Sequence, residues 1–175
     1  REHDPAAGPL FMYVAFQNTH APYEVPDRYL DRRVGYKPRQ IMQGMLTCVS
    51  QATGNLTDAL RKKQMWNNTL LLWASDNGGP QYWNANNYPL RGGKGTDFEG
   101  GVRSVAFVSG GWLPRSLRGI PVMGAIHIAD IYATFCNLAG GSDCSDLSTA
   151  SAHGIPPADG VDVSSLLLRL PEAGA

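Results

Sequence analysis

Leu70-Leu71-Leu72-Trp73-Ala74-Ser75-Asp76-Asn77-Gly78-Gly79 is the stretch on which the reading of this chain turns. A bulky apolar run stops at an acid–amide pair, and two glycines follow at once. Such a run reads as a strand buried on both faces, of the parallel-sheet kind. In open α/β sheets, ligands collect beyond the carboxyl ends of the strands. Asp76 and Asn77 stand at such an end and offer two side-chain oxygens, the donors a hard cation prefers. Gly78 and Gly79 permit a tight backbone turn without steric penalty.

Upstream, residues 10–16 are rich in aromatic and β-branched side chains and read as a first buried strand. That strand ends in the polar loop Gln17-Asn18-Thr19-His20-Ala21-Pro22. Over residues 39–63, Ile41, Met45, Cys48, Val49, Ala52, Leu56, Ala59 and Leu60 recur at helical spacing. Arg61, Lys62 and Lys63 suit the negative pole of that helix. Strand, long helix, strand is a crossover unit, hence a parallel sheet. Downstream, residues 76–101 are long for a structureless loop, and such loops are usually functional or disordered. Residues 101–109 read as a third strand and 126–138 as a second helix. Residues 142–157 read as a loop and 161–170 as a short terminal element. The expected class is α/β with a mostly parallel sheet flanked by helices, ending in a loop-rich tail over 142–175.

The bulk properties narrow the function. The 175 residues suffice for one domain with a real core. Fifteen basic and fifteen acidic side chains balance, which leaves no whole-chain field for nucleic acid or an anionic membrane. Twenty glycines and twelve prolines point to a loop-rich protein. No apolar run approaches the roughly 18 residues of a membrane span. The opening Arg1-Glu2-His3-Asp4 is polar and unlike a secretory leader. The first residue is not Met, so the chain is expected to be a piece of a longer protein or a processed product. Cys136 and Cys144 lie eight apart across a Gly-Gly turn. A local disulfide and buried free thiols are equally open there. No Cys/His spacing suits zinc, and glycosylation acceptors occur at Asn55 and Asn67.

The long loop carries Tyr88-Pro89-Leu90-Arg91-Gly92-Gly93-Lys94-Gly95-Thr96 and then Phe98-Glu99-Gly100-Gly101-Val102-Arg103. A phosphate loop is excluded, because Tyr88 stands where it needs glycine and Gly95 where it needs Ser or Thr. Lys94 among glycines reads instead as a point charge for a compact anion. Arg91 and Arg103 read as braces, pairing with Asp97 or Glu99. Tyr82 and Trp83 offer either a wall for a sugar ring or simple loop packing. His20 at one strand end, Lys94, and the Asp76–Asn77 pair at another would suit hydrolysis of an anionic ester. The lysine and a cation offset charge, and the histidine protonates the leaving oxygen.

With these motifs in this order the chain resembles the sulfatase family, in the group around arylsulfatase B. The resemblance is carried by Gln17 to Pro22, Ser75 to Gly79, Asn87 to Lys94 and Glu99 to Arg103, then by His127-Ile128-Ala129-Asp130 and Asp159-Gly160-Val161-Asp162. It implies an alkaline-phosphatase-like sandwich and a sulfuric ester hydrolase acting on a sulfated sugar or aryl sulfate. It implies His20 and Lys94 as catalytic residues and Asp76 and Asn77 as calcium ligands. It further implies a lysosomal or secreted glycoprotein, with His127 and Asp130 holding structure and Tyr132 packed in the core. The family's nucleophile is a formylglycine made from cysteine in a Cys-x-Pro-x-Arg context. None of Cys48, Cys136 or Cys144 lies in that context, so the chain reads as the later part of a catalytic domain, inactive alone. On the long helix, Ser50-Gln51 stands where these sulfatases carry an acidic residue. Two other readings remain open: a phosphate or phosphonate ester hydrolase of the same superfamily, and a non-catalytic glycan-binding homologue.

Overall fold

A computed structural model describes residues 3–168 of the chain. It divides into two units, the first ending at Trp112 and the second beginning at Leu113.

The first unit is built around helix α1, Lys37–Lys62. Pro38 sits in its first turn, where a missing N–H costs nothing. Arg61 and Lys62 stand in its last turn, where positive charge offsets the negative pole of the helix. Met42, Met45 and Val49 are buried at the i, i+3, i+7 positions that make one helical face. Gly44 is buried with them because a Cβ there would stand 3.0 Å from both the Tyr29 carbonyl oxygen and Val25 Cγ1. The segment before the helix thus lies directly against its backbone. The expected apolar stripe is sealed only in its first half, since Ala59 is exposed and Leu56 and Leu60 are half-buried. Gln51 accepts a hydrogen bond from the Tyr29 hydroxyl, so the amide at this position has a partner of its own.

Strand β1, Leu71–Ala74, pairs with β2, Ala106–Ser109, in antiparallel register: Leu71 lies opposite Ser109 and Ala74 opposite Ala106. Trp73 and Phe107 face each other across the pair with rings stacked at 5.5 Å and 9°. A short helix α2, Glu99–Val102, precedes β2, so the third expected strand starts at Ala106 rather than at 101.

Two expectations are corrected here. The sheet among the described residues is a two-stranded antiparallel pair, not a parallel crossover unit. The crossover was expected to join residues 10–16 to β1 through the long helix, and its first strand is missing among the described residues. Residues 10–16 form no strand, and Phe11 and Tyr13 are 79% and 85% exposed. An extended segment becomes a strand only when its N–H and C=O groups find a neighbour, and among the described residues none pairs with it.

The second unit holds α3, Asp130–Leu138, α4, Leu147–His153, and α5, Ser164–Leu168. Asp130 is buried and accepts from the His127 amide at 2.8 Å and the Val161 amide at 3.0 Å. Those two N–H donors, Val161 first, hold its carboxyl below the usual range. Thr134 donates to the Asp130 carbonyl at 2.6 Å and accepts from the Val163 amide at 3.0 Å. The chain over 160–163 is thereby stitched to α3, and a Cβ on Gly160 would come within 2.2 Å of the Ala129 carbonyl. Cys136 and Cys144 form a disulfide, while Cys48 is free. Helix α4 falls inside the stretch expected to be loop. Asp143 supplies its N-terminal amides with acceptors, which the Ser- and Ala-rich sequence alone did not reveal. Tyr132, expected in the core, is 47% exposed and donates to Asp146 at 2.6 Å. The last two residues of the expected terminal element, 169 and 170, lie outside the described residues. Among the described residues no helix is long and apolar enough to cross a membrane.

Candidate functional site

All four residues expected to carry chemistry belong to the first unit. Directly after β1, the Ser75 amide donates to the Val105 carbonyl at 2.9 Å, extending the sheet by one bond. The chain then turns. The Ser75 hydroxyl donates to the Asn77 carbonyl at 3.0 Å, and the Asn77 amide donates to Asp76 Oδ1 at 2.9 Å. Asn77 Nδ2 donates to the Gly78 carbonyl at 2.9 Å. These bonds occupy one carboxylate oxygen and the amide nitrogen. Asp76 Oδ2 and Asn77 Oδ1 have no protein partner among the described residues, and Asp76 is exposed. A carboxylate oxygen and an amide oxygen on successive residues are the donor types that suit a hard cation such as calcium. They fill only part of its shell of roughly six to eight oxygens. Among the described residues no group of three His, Cys, Asp or Glu side chains converges on a metal position.

Glycines bring the second loop onto this turn. A Cβ on Gly78 would lie 1.7 Å from the Gly100 carbonyl oxygen, and one on Gly93 would lie 2.6 Å from that of Gly79. One on Gly100 would lie 2.3 Å from the Gly92 oxygen, and one on Gly101 2.2 Å from that of Thr96. Three backbone segments are stacked where no side chain fits. Neither Gly78 nor Gly79 has a positive φ, so close approach, rather than the tight turn expected of them, is what requires glycine. The Gly78 amide donates to the Gly101 carbonyl at 2.9 Å across this contact.

Asn87 locks the arrangement. Its Oδ1 accepts from the Gly79 amide at 2.9 Å, and its Nδ2 donates to the Gly79 and Gly92 carbonyls at 2.8 and 3.1 Å. The Lys94 amide also reaches the Gly79 carbonyl, at 3.4 Å. The backbone of Lys94 is therefore tied to the turn that carries Asp76 and Asn77. The Lys94 side chain is exposed and has no ion-pair partner among the described residues. Sequence reasoning assigned Asn87 no role. The signal was present as an amide, able both to donate and to accept, between two glycine pairs.

The two arginines brace the loop by different means. Arg103 pairs with Glu99 at 3.4 Å, as expected. Arg91 instead lies over the Phe98 ring at 4.0 Å, a cation–π contact. His20 is exposed, with its amide bonded to the Gln17 carbonyl at 3.0 Å and Nδ1 3.0 Å from the Ala21 carbonyl oxygen. With Nδ1 donating there, Nε2 is the nitrogen left to exchange a proton. Its loop is anchored to α1 through Asn18, whose Nδ2 donates to the Met45 carbonyl at 3.0 Å. Three residues beyond His20, Tyr23 packs on Trp83 at a ring separation of 5.0 Å. The structure thus unites the Asp76–Asn77 turn and the Lys94 loop by direct bonds. It joins the His20 loop to them through α1 and this aromatic contact.

Comparison with known proteins gives a consistent picture. The family model described as Sulfatase matches residues 2–141. Arylsulfatase J of Mus musculus is 40% identical over 147 residues, covering 83% of this chain and 24% of that protein. N-acetylgalactosamine-6-sulfatase of Homo sapiens is 28% identical over 154 residues, covering 85% of this chain and 28% of that protein. The crystal structure of Ps i-CgsB superposes with a TM-score of 0.77 at 28% identity, over 93% of this chain and 34% of that one. The same protein in complex with k-i-k-neocarrahexaose gives 0.72, over 87% of this chain and 32% of that one. The chain spans about a quarter of the length of the curated relatives it matches.

Proposed function

The chain belongs to the sulfatase family, and from that premise we propose that it forms the sulfate-binding half of a sulfuric ester hydrolase site. One observation carries this reading. The Lys94 loop and the Asp76–Asn77 turn are fastened through the Gly79 carbonyl, which accepts from both Asn87 Nδ2 and the Lys94 amide. The backbone segments that carry a cationic side chain and two open oxygen donors are therefore tied to each other.

In this proposal Lys94 takes the sulfate group. Its ammonium offsets the charge that grows on the sulfate oxygens as the ester bond breaks. As the imidazolium, His20 gives its Nε2 proton to the leaving ester oxygen and becomes the neutral ring whose remaining N–H, on Nδ1, donates to the Ala21 carbonyl. Asp76 and Asn77 would hold a calcium ion, which when bound neutralises ester charge. The attacking group is the family's formylglycine, which the three cysteines of this chain do not provide. The substrate proposed is a sulfated sugar or aryl sulfate. A lysosomal or secreted setting is supported by the Cys136–Cys144 disulfide, because such bonds persist in oxidising compartments. Asn55 and Asn67, the two acceptors, are exposed.

The test is hydrolysis of 4-nitrophenyl sulfate and 4-nitrophenyl phosphate by the whole protein that contains this chain. Sulfate turnover should dominate, and Lys94→Ala should lower its kcat/KM by about 100-fold. Faster phosphate turnover would favour the phosphohydrolase reading. Binding of sulfated sugar without turnover of either ester would favour a non-catalytic homologue.

A further inference from the structure

We infer that Tyr23, Tyr82 and Trp83 form a stacking platform for a pyranose ring, so that the site takes its sulfate as part of a glycan. The inference deepens the proposed function and rests on it for the sulfate end alone.

Trp83 is in ring contact with both tyrosines. Trp83 lies 5.0 Å from Tyr23 at 31° and 6.2 Å from Tyr82 at 58°. Tyr82 is 75% and Trp83 50% exposed among the described residues. The cluster is held in place by polar and backbone contacts that leave its faces open. The turn Gln81–Trp83 follows Pro80 and ends at Asn84, which takes a left-handed φ of 67°. The Asn84 carbonyl accepts from Arg39 Nη1 of α1 at 2.6 Å. A side chain flexible at this position would lose more entropy on binding a ligand than these pre-positioned rings do.

The location ties the platform to the anion site. Ala85 Cβ would be 2.3 Å from a Cβ on Gly79, and Gln81 Cγ 3.4 Å from one on Gly93. The aromatic turn therefore abuts both loops that meet at Lys94, while Tyr23 follows His20 by three residues. A ligand reaching from the lysine across this turn meets flat apolar faces edged by phenol hydroxyls. That is the chemistry of a pyranose, whose C–H face is apolar and whose rim is hydroxylated.

Calorimetric titration of the chain with k-i-k-neocarrahexaose, its desulfated form and inorganic sulfate separates the two ends. Trp83→Ala should weaken both oligosaccharides by about tenfold and leave inorganic sulfate unchanged, and Trp83→Phe should restore binding. Lys94→Ala should weaken inorganic sulfate and the sulfated hexasaccharide and spare the desulfated form. Unchanged oligosaccharide affinity in Trp83→Ala, or no oligosaccharide binding by the parent chain, would overturn the platform. An unaffected sulfate affinity in Lys94→Ala would sink the anion reading and spare the platform.

Discussion

Single glycines decide whether the two motif loops can meet. Gly78 sits so close to the Gly100 carbonyl, 1.7 Å from where a Cβ would stand, that Gly78→Ala must push two backbone segments apart. Overpacking of this kind costs about 1–3 kcal/mol. The substitution should also lower sulfate affinity, because the Lys94 amide is anchored to the neighbouring Gly79. Gly54, in the middle of α1 with nothing within 4 Å of its missing Cβ, is the contrast. Gly54→Ala should stabilise by about 0.5–1 kcal/mol through helix propensity alone. Urea unfolding of the two variants checks both signs, and destabilisation by Gly54→Ala would break the argument. Asn87 invites a companion substitution. Asn87→Asp keeps the acceptor for the Gly79 amide but removes the donor to the Gly79 and Gly92 carbonyls. It should cost about 1–3 kcal/mol in the same assay, whereas a purely surface amide would change nothing measurable.

At the level of elements, α4 depends on a side chain outside it. Asp143 Oδ1 accepts from the Leu147 amide at 2.9 Å, and Oδ2 accepts from the Ser148 amide and hydroxyl at 3.1 and 2.7 Å. Those donors lower its carboxyl to about 2, the Ser148 amide contributing most. The folded value lies below the unfolded one of about 3.9, so this anchoring is complete above the unfolded value. It is lost as pH falls through about 2. The Leu147 and Ser148 amide proton shifts should titrate near pH 2, and Asp143→Asn should abolish that step. A midpoint near 4 would mean the carboxylate does not anchor the helix. The same element shows why the sequence was only partly legible. Helix α1 was readable because its apolar positions repeat with helical period, and 39–63 was expected where Lys37–Lys62 is found. β1 was readable from its apolar run. α4 was not, because Ser, Thr and Ala carry no period and the stabilising acid lies upstream of the helix. The parallel sheet failed as an expectation because it rested on residues 10–16, and strand character is a property of pairs. In the site, the order of motifs was legible. The packing of Gly78 against Gly100 and the clasp by Asn87 were not, since both depend on segments distant in sequence.

At the scale of the whole molecule, the chain carries the groups proposed to bind sulfate but no cysteine in the context of the family's nucleophile. The Lys94 backbone is fastened to the turn that carries Asp76 and Asn77, and His20 is carried on a loop anchored to the same helix that supports the aromatic turn. A nucleophile is a separate requirement. Cys136 and Cys144 are consumed by their disulfide, and neither they nor Cys48 lies in a Cys-x-Pro-x-Arg context. On the proposed reading, groups that hold a sulfate ester without that nucleophile position the ester but do not attack it. Binding and turnover should therefore separate. The 175-residue chain is expected to bind inorganic sulfate and lose that binding in Lys94→Ala, yet to release no nitrophenol from 4-nitrophenyl sulfate, with or without added calcium. Release of nitrophenol that persists in Lys94→Ala would point to a contaminant. Release that disappears in Lys94→Ala would show that these residues run the reaction alone, overturning the division between a binding half and a nucleophilic half.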